Sequence, residues 1–171
     1  MILEYILFAV LGLVAVIASV AMVTRANPVM SAIFLVLNFF ALAGLYLLLY
    51  AQFIAVVQVI VYAGAIMVLF LFVLMLLNTE SEYSLLKEKK RLKLMAIGIA
   101  VLVFVQIAFI IFYSSPSEGM TDAVTESINA GKIETIGREL YTTYVLPFLA
   151  SGFLLLGATI GALVLAMKKF E

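Results

Sequence analysis

Few residues in this sequence depart from plain apolar side chains inside its apolar segments, and three of them stand together. In the run VQVIVYAGAIMVLFLFVLMLL, residues 57–77, an amide (Gln58), a phenol (Tyr62) and a glycine (Gly64) interrupt otherwise greasy sequence. Gln58 and Tyr62 are four residues apart, so a helix carries them on one face, and each can both donate and accept a hydrogen bond. Such a pair can tie two helices together or border a hydrated path. Neither group titrates readily near neutral pH, so neither can by itself load and unload a proton. Ala63, Gly64 and Ala65 form a small patch. It permits close approach of another helix, or a local rearrangement such as a π-bulge, in which an extra residue frees a carbonyl. On the residues alone both readings stand.

The absent residues narrow the chemistry further. With no cysteine there is no disulfide framework and no thiolate site, and with no histidine the usual general base and metal ligand are missing. No Asp, Glu, Lys or Arg falls within residues 5–23, 29–77, 94–113 or 140–167. Dedicated proton relays and ion sites in membranes usually display an ionisable group in such segments. No glycine-rich phosphate loop, nucleophile–base pair or metal-spaced cluster is present either. The chain reads as a component packed against others, with no catalytic, cofactor or metal residue of its own.

These residues sit on elements long enough to cross a bilayer. Of 171 residues, 67% are hydrophobic and 12% charged, with mean hydropathy +1.28, too little charge to cover a soluble domain. The expected fold class is an all-α integral membrane protein, one membrane domain over 1–171 with five transmembrane helices at about 2–23, 29–50, 53–77, 94–113 and 140–167. Asn27 and Pro28 suit the cap and first position of the second helix. A joint near Ala51 and Gln52 makes the second and third helices antiparallel neighbours. Polar loops are expected at about 78–93 and 114–139. The start carries Glu4 and no basic region, as expected of a retained first span.

Basic residues fall unevenly. Arg25, Lys87, Lys89, Lys90, Arg91, Lys93, Lys168 and Lys169 share one side of a five-span chain, against Lys132 and Arg138 on the other. That bias predicts a periplasmic N-terminus and a cytoplasmic C-terminus. The cluster KEKKRLK is expected to act as a solvated topology anchor, and zero net charge gives no reason to expect a nucleic-acid partner. Asn38 and Gln106 are buried-amide candidates for interhelical hydrogen bonds. Gly152, Gly157 and Gly161 suit close helix crossing, and Pro147 is expected to kink the entrance of the last span.

A family likeness rests on RANPVMSAIFLVLNFFALAGLYLLLYAQFIAVVQVIVYAGAIMVLFLFVLMLLN, residues 25–78, about a third of the chain. Its core VYAGAIMVLFLFVLML is the most specific part, NPVMSAIF strengthens it, and LASGFLLLGATIGALVLAMKK is a weaker echo. This stretch resembles subunit J of the bacterial proton-translocating NADH–quinone oxidoreductase, the family of the mitochondrial ND-six subunit in respiratory complex I. The resemblance implies a π-bulge around Tyr62–Ala65 in a third helix that rotates between bulged and regular forms during turnover. Gln58, Tyr62, Ala63, Gly64, Ala65, Met67, Val68 and Phe70 become the coupling and gating candidates on a hydrated path.

The implied parent complex passes electrons from NADH through FMN and iron–sulfur clusters to a quinone, all bound on other chains. The implied partners are the quinone-site subunit, a small three-helix subunit, antiporter-like subunits and the lipid of the bacterial inner membrane. Two departures matter. Some relatives have an acid where this chain has Gln58, and the family often has one after the Pro-Phe of the last span, where this chain has Leu149. Titratable groups on a shared path would then come from partners. Two other functions compete: a purely structural or assembly subunit, and an accessory subunit of a related multisubunit cation/proton antiporter or hydrogenase-like complex.

Overall fold

The computed structural model describes residues 2–77, 90–113 and 130–167. All regular elements among them are helical: α1 (Ile2–Thr24), α2 (Pro28–Leu48), α3 (Gln52–Val57), a π-helical segment (Gln58–Ile66), α4 (Met67–Leu77), α5 (Lys90–Tyr113), α6 (Ile133–Tyr141) and α7 (Val145–Ala166). α3, the π segment and α4 run on as one rod, Gln52–Leu77, called the third helix below. It joins α1, α2 and α7 as the helices long and apolar enough to cross a membrane among the described residues, four in all. α5 carries a shorter apolar stretch, Met95–Ile110.

The α1–α2 turn forms as its residues dictate. Asn27 is extended, and its Oδ1 accepts hydrogen bonds from the N–H groups of Val29 at 2.9 Å and Met30 at 3.3 Å. Pro28, with no N–H to leave unpaired, takes the first helical position. Ser31 Oγ then donates to the carbonyl of Met22, tying the start of α2 to the end of α1. Arg25 lies over the ring of Phe34, 5.4 Å from its centroid, a cation–π contact across the same turn.

The α2–α3 turn is tighter. Ala51 N–H donates to the Tyr46 carbonyl and Tyr50 N–H to the Leu47 carbonyl, a Schellman closure of α2. The left-handed position of this motif is usually glycine, yet here it is Tyr50, with φ 61°. Holding a residue with a Cβ there costs about 1–2 kcal/mol. A second segment packs onto this turn: a Cβ added at Gly131 would lie 2.5 Å from the Tyr50 carbonyl oxygen, so only glycine fits.

The core is built of small side chains. Ala15, Ala18, Ala32, Ala41, Ala43, Ala55 and Ala63 are buried, with Met67 the larger exception. Without a hydrophobic drive in lipid, helices associate through such close contact. Gly44 shows how close: an added Cβ would stand 2.8 Å from Leu11 Cδ1 on α1. α2 is the central helix, packed against α1 on one side and the whole third helix on the other.

The second half of the chain differs from expectation in two ways. Residues 133–141 form α6 where a polar loop was expected, and the last span does not run unbroken from 140. The chain leaves the helix at Thr142 and re-enters at Val145, with Tyr144 N–H donating back to the Glu139 carbonyl at 2.9 Å. Pro147 therefore does not kink a helix. It lies in the first turn of α7, where its missing N–H has no intrahelical partner to lose. The stretches 78–89, 114–129 and 168–171 lie outside the described residues, and with them Lys87, Lys89, Lys168 and Lys169 of the topology pattern.

Candidate functional site

The coupling candidates from the sequence fall on the π segment and the first turn of α4. The π geometry begins at Gln58 and closes with Met67 N–H donating to the Tyr62 carbonyl, five residues back. An α-helix would bond four back, so the segment carries one residue more than a regular helix of the same span.

Burial shows what that residue does. On the third helix the buried positions are Ala55, Gln58, Ala63 and Met67. Their spacing is three, then five, then four. A regular helix that buried Ala55 and Gln58 against α2 would continue through Tyr62 and Ile66. The inserted residue instead brings Ala63 and Met67 to that face and leaves Tyr62 46% and Ile66 48% exposed. Gln58 is thereby the buried polar side chain of the described core.

Close approach within the segment explains its glycine. A Cβ on Gly64 would lie 3.2 Å from the carbonyl oxygen of Val59, five residues earlier, tighter than side chains normally come. Carbonyl oxygen is backbone and cannot swing away, so Gly64 suits the π turn sterically. Tyr62 in turn meets α2 at Phe39, ring centroids 5.8 Å apart and planes 62° apart, an edge-to-face contact.

Two grooves flank this region. One, of 440 Å³, runs between α2 and α3 and is lined by Phe40, Gly44, Leu47, Val56, Val59 and Ile60 among others. Another, of 240 Å³, opens between the α1–α2 turn and α4, where Phe70 and Leu74 face Met22 and Ser31. Val68 is exposed away from the core, while Ala65 is exposed within the π segment itself. The structure thus gathers Gln58, Tyr62, Ala63, Gly64, Ala65, Met67, Val68 and Phe70 on one helix, with three of them, Gln58, Ala63 and Met67, turned into the core.

The helix-packing candidates divide. Asn38 lies in α2, and its Oδ1 is buried with no hydrogen-bond partner. Gln106 is exposed on α5, and α7 buries none of its residues against the other described residues. A Cβ at Gly152, Gly157 or Gly161 would meet nothing within 4 Å. Among the described residues, the small-residue face of α7 meets no other helix. Ser31 was not foreseen as a contact, although a serine one turn into an apolar helix needs an acceptor and offered the signal.

No group of three or more His, Cys, Asp or Glu residues able to hold a metal occurs among the described residues. The arrangement offers instead two amides and a phenol beside an irregular backbone.

Residues 18–165 match the family described as NADH-ubiquinone/plastoquinone oxidoreductase chain 6. The chain is 42% identical, over 181 aligned positions, to NADH-ubiquinone oxidoreductase chain 6 of Marchantia polymorpha, covering 99% of this chain and 87% of the relative. It is 37% identical to NADH-quinone oxidoreductase subunit 10 of Thermus thermophilus, over 86% of this chain and 81% of the relative. Against NADH-quinone oxidoreductase subunit J of Rickettsia typhi it is 33% identical, over 91% and 77%.

Proposed function

The chain belongs to the family of NADH-ubiquinone/plastoquinone oxidoreductase chain 6 and is a multi-pass membrane subunit of an NADH–quinone oxidoreductase, and from that premise we propose that its third helix couples quinone reduction to proton translocation by changing register. The observation that carries the proposal is the step of five in the buried stripe, between Gln58 and Ala63. If the π turn relaxes to α geometry, everything beyond it rotates by about 100° and advances about 1.5 Å, the increment of one helical residue. Tyr62 then takes the place of Ala63 against α2, and Ile66 that of Met67. Met67, Val68 and Phe70 move with them and remodel the groove beside α1.

The chain's own groups define what it contributes. Gln58 and Tyr62 can hydrogen-bond water, and in this reading the protons that move come from ionisable groups on neighbouring subunits. Its part is geometry and hydration. Iron–sulfur clusters require thiolate or imidazole ligands, and with no cysteine and no histidine this chain has no side chain of those types; in this reading the clusters and FMN of the complex are bound elsewhere. The redox steps belong to other chains. α5 and α7, whose faces the other described residues leave unburied, pack in this reading against membrane partners, for which the quinone-site subunit, a small three-helix subunit and antiporter-like subunits are the fitting classes.

One contact supports a reading with five spans and an outside N-terminus. Gly131 lies on the α2–α3 turn at Tyr50, so both occupy one membrane face. The third helix carries the chain to the other face by Leu77. Between Leu77 and Gly131 the chain must cross back, and α5 is the described apolar helix available to do so. The basic bias then puts Tyr50 and Gly131 outside, with the bacterial inner membrane the setting for this arrangement.

Replacing Gly64 with Val tests the role of the third helix. A helix that changes register predicts a fully assembled complex with impaired NADH-driven quinone reduction or pumping. A scaffold predicts that any rate loss matches lost assembly, which would refute the coupling role.

A further inference from the structure

Among the described residues, Asn38 Oδ1 is the buried side-chain acceptor left with no partner. In a membrane interior an unpaired polar atom is costly, because no bulk water can satisfy it. Its surroundings can be placed from its neighbours on α2. Asn38 stands seven residues after Ser31, two helical turns along the same face. Ser31 faces the corner between α1 and α4, bonding Met22 and lining the groove with Phe70 and Leu74. Asn38 continues that corner toward the π segment, on the flank opposite the apolar groove at Phe40, Gly44 and Leu47.

Height along the bundle is fixed by the next residue. Phe39 touches Tyr62, so Asn38 sits level with the hydroxyl-bearing residue of the π turn. In the present register Tyr62 points off the packed face, and Asn38 goes unsatisfied. In the α register Tyr62 turns inward, into the layer that Asn38 shares.

We propose that Asn38 is the hydrogen-bond acceptor for the Tyr62 hydroxyl in the α register, so that it acts as a positioning residue setting the balance between the two forms of the third helix. This rests on the register change put forward above. The π form holds the Phe39–Tyr62 edge contact and the Gly64 fit; the α form gains one buried hydrogen bond and satisfies an orphan acceptor. A switch needs each state to have something the other lacks, and these contacts supply it.

The test uses the intact, assembled complex under turnover, imaged to resolve the third helix, with Asn38→Leu, Tyr62→Phe and the double variant. Subunit content in the purified complex checks assembly. Each single variant is expected to lower the ratio of α to π molecules about fivefold, the equivalent of one hydrogen bond of about 1 kcal/mol. The double variant should be no lower than either single, since both remove the same bond. Four results overturn the proposal. Independent losses that multiply in the double variant would show no shared bond, as would an α-register ratio unmoved by Tyr62→Phe. Density for a water bonded to Asn38 in both registers would assign the acceptor another donor. Wild-type complex held wholly in the π register would remove this proposal and the register change together, whereas the first three leave the register change standing.

Discussion

The ring of Tyr62 stands edge-on to that of Phe39, centroids 5.8 Å apart, at the point where the third helix carries its extra residue. This contact holds Tyr62 on the flank of α2 and out of the packed layer that Ala63 occupies. Phe39→Leu removes an edge-to-face pair of about 0.5–1.5 kcal/mol. It is expected to raise the share of α-register molecules about twofold to tenfold, read from images of the working complex. An unchanged share would mean that the ring pair does not hold the π form.

Gly64→Ala acts on the same balance from the backbone. The new Cβ would crowd the Val59 carbonyl at 3.2 Å in the π turn, and alanine favours a regular helix over glycine by about 1 kcal/mol. Both effects push toward the α register. Quinone reduction coupled to pumping should fall in an assembled complex, since a helix biased to one form cycles poorly. Pumping per electron equal to wild type would count against the idea.

At Gly44, the chain tests packing alone. Leu11 Cδ1 stands 2.8 Å from where a Cβ would be, so Gly44→Val overpacks α1 against α2 at a cost of about 1–3 kcal/mol. Less subunit should be retained after detergent heating. Leu11→Ala in the same chain opens the space and should restore retention; failure of that rescue would place the strain elsewhere.

Tyr50 offers a stabilising change. Glycine at its left-handed position removes about 1 kcal/mol of backbone strain and keeps the Schellman bonds. Tyr50→Gly should raise the midpoint of thermal dissociation of the subunit by a few degrees. Gly131→Ala should lower it, because a Cβ 2.5 Å from a carbonyl oxygen forces the two segments apart.

Membrane sidedness can be read directly, since the chain contains no cysteine. Single substitutions Tyr50→Cys and Lys132→Cys should react with an impermeant maleimide from one side, and Thr24→Cys only from the other. Labelling of Lys132→Cys together with Thr24→Cys would remove the crossing by α5.

Much of this architecture was legible in the residues, and the reasons differ from element to element. Asn27-Pro28 announced the start of α2, because cap chemistry is local and needs only a few residues. The length of the third helix followed from its unbroken apolar run. Its π register did not, because Tyr62-Ala63-Gly64-Ala65 is compatible with both registers and the choice is made by how Ala63 and Met67 seat against α2. Family likeness pointed to the bulge where composition could not. α6 was obscured by the Ser-, Thr- and Glu-rich stretch before it, although Ile133, Ile136 and Leu140 already recur at helical spacing. The apolar run around Pro147 is continuous in sequence and suggests a kink, whereas the break at Thr142–Tyr144 puts the proline in a first turn where it is harmless. Asn38 suits interhelical glue by residue type, and what makes it informative is that its buried oxygen has no donor among the described residues.

The coupling role requires that the third helix of this chain change register in the working enzyme. The direct measurement is imaging of the intact complex during NADH oxidation, at a resolution that shows side chains along residues 52–77. The account predicts two populations, one with Ala63 and Met67 turned to α2 and one with Tyr62 and Ile66 in their places. A single population, π-helical from Gln58 to Ile66 in every turnover state, would contradict it.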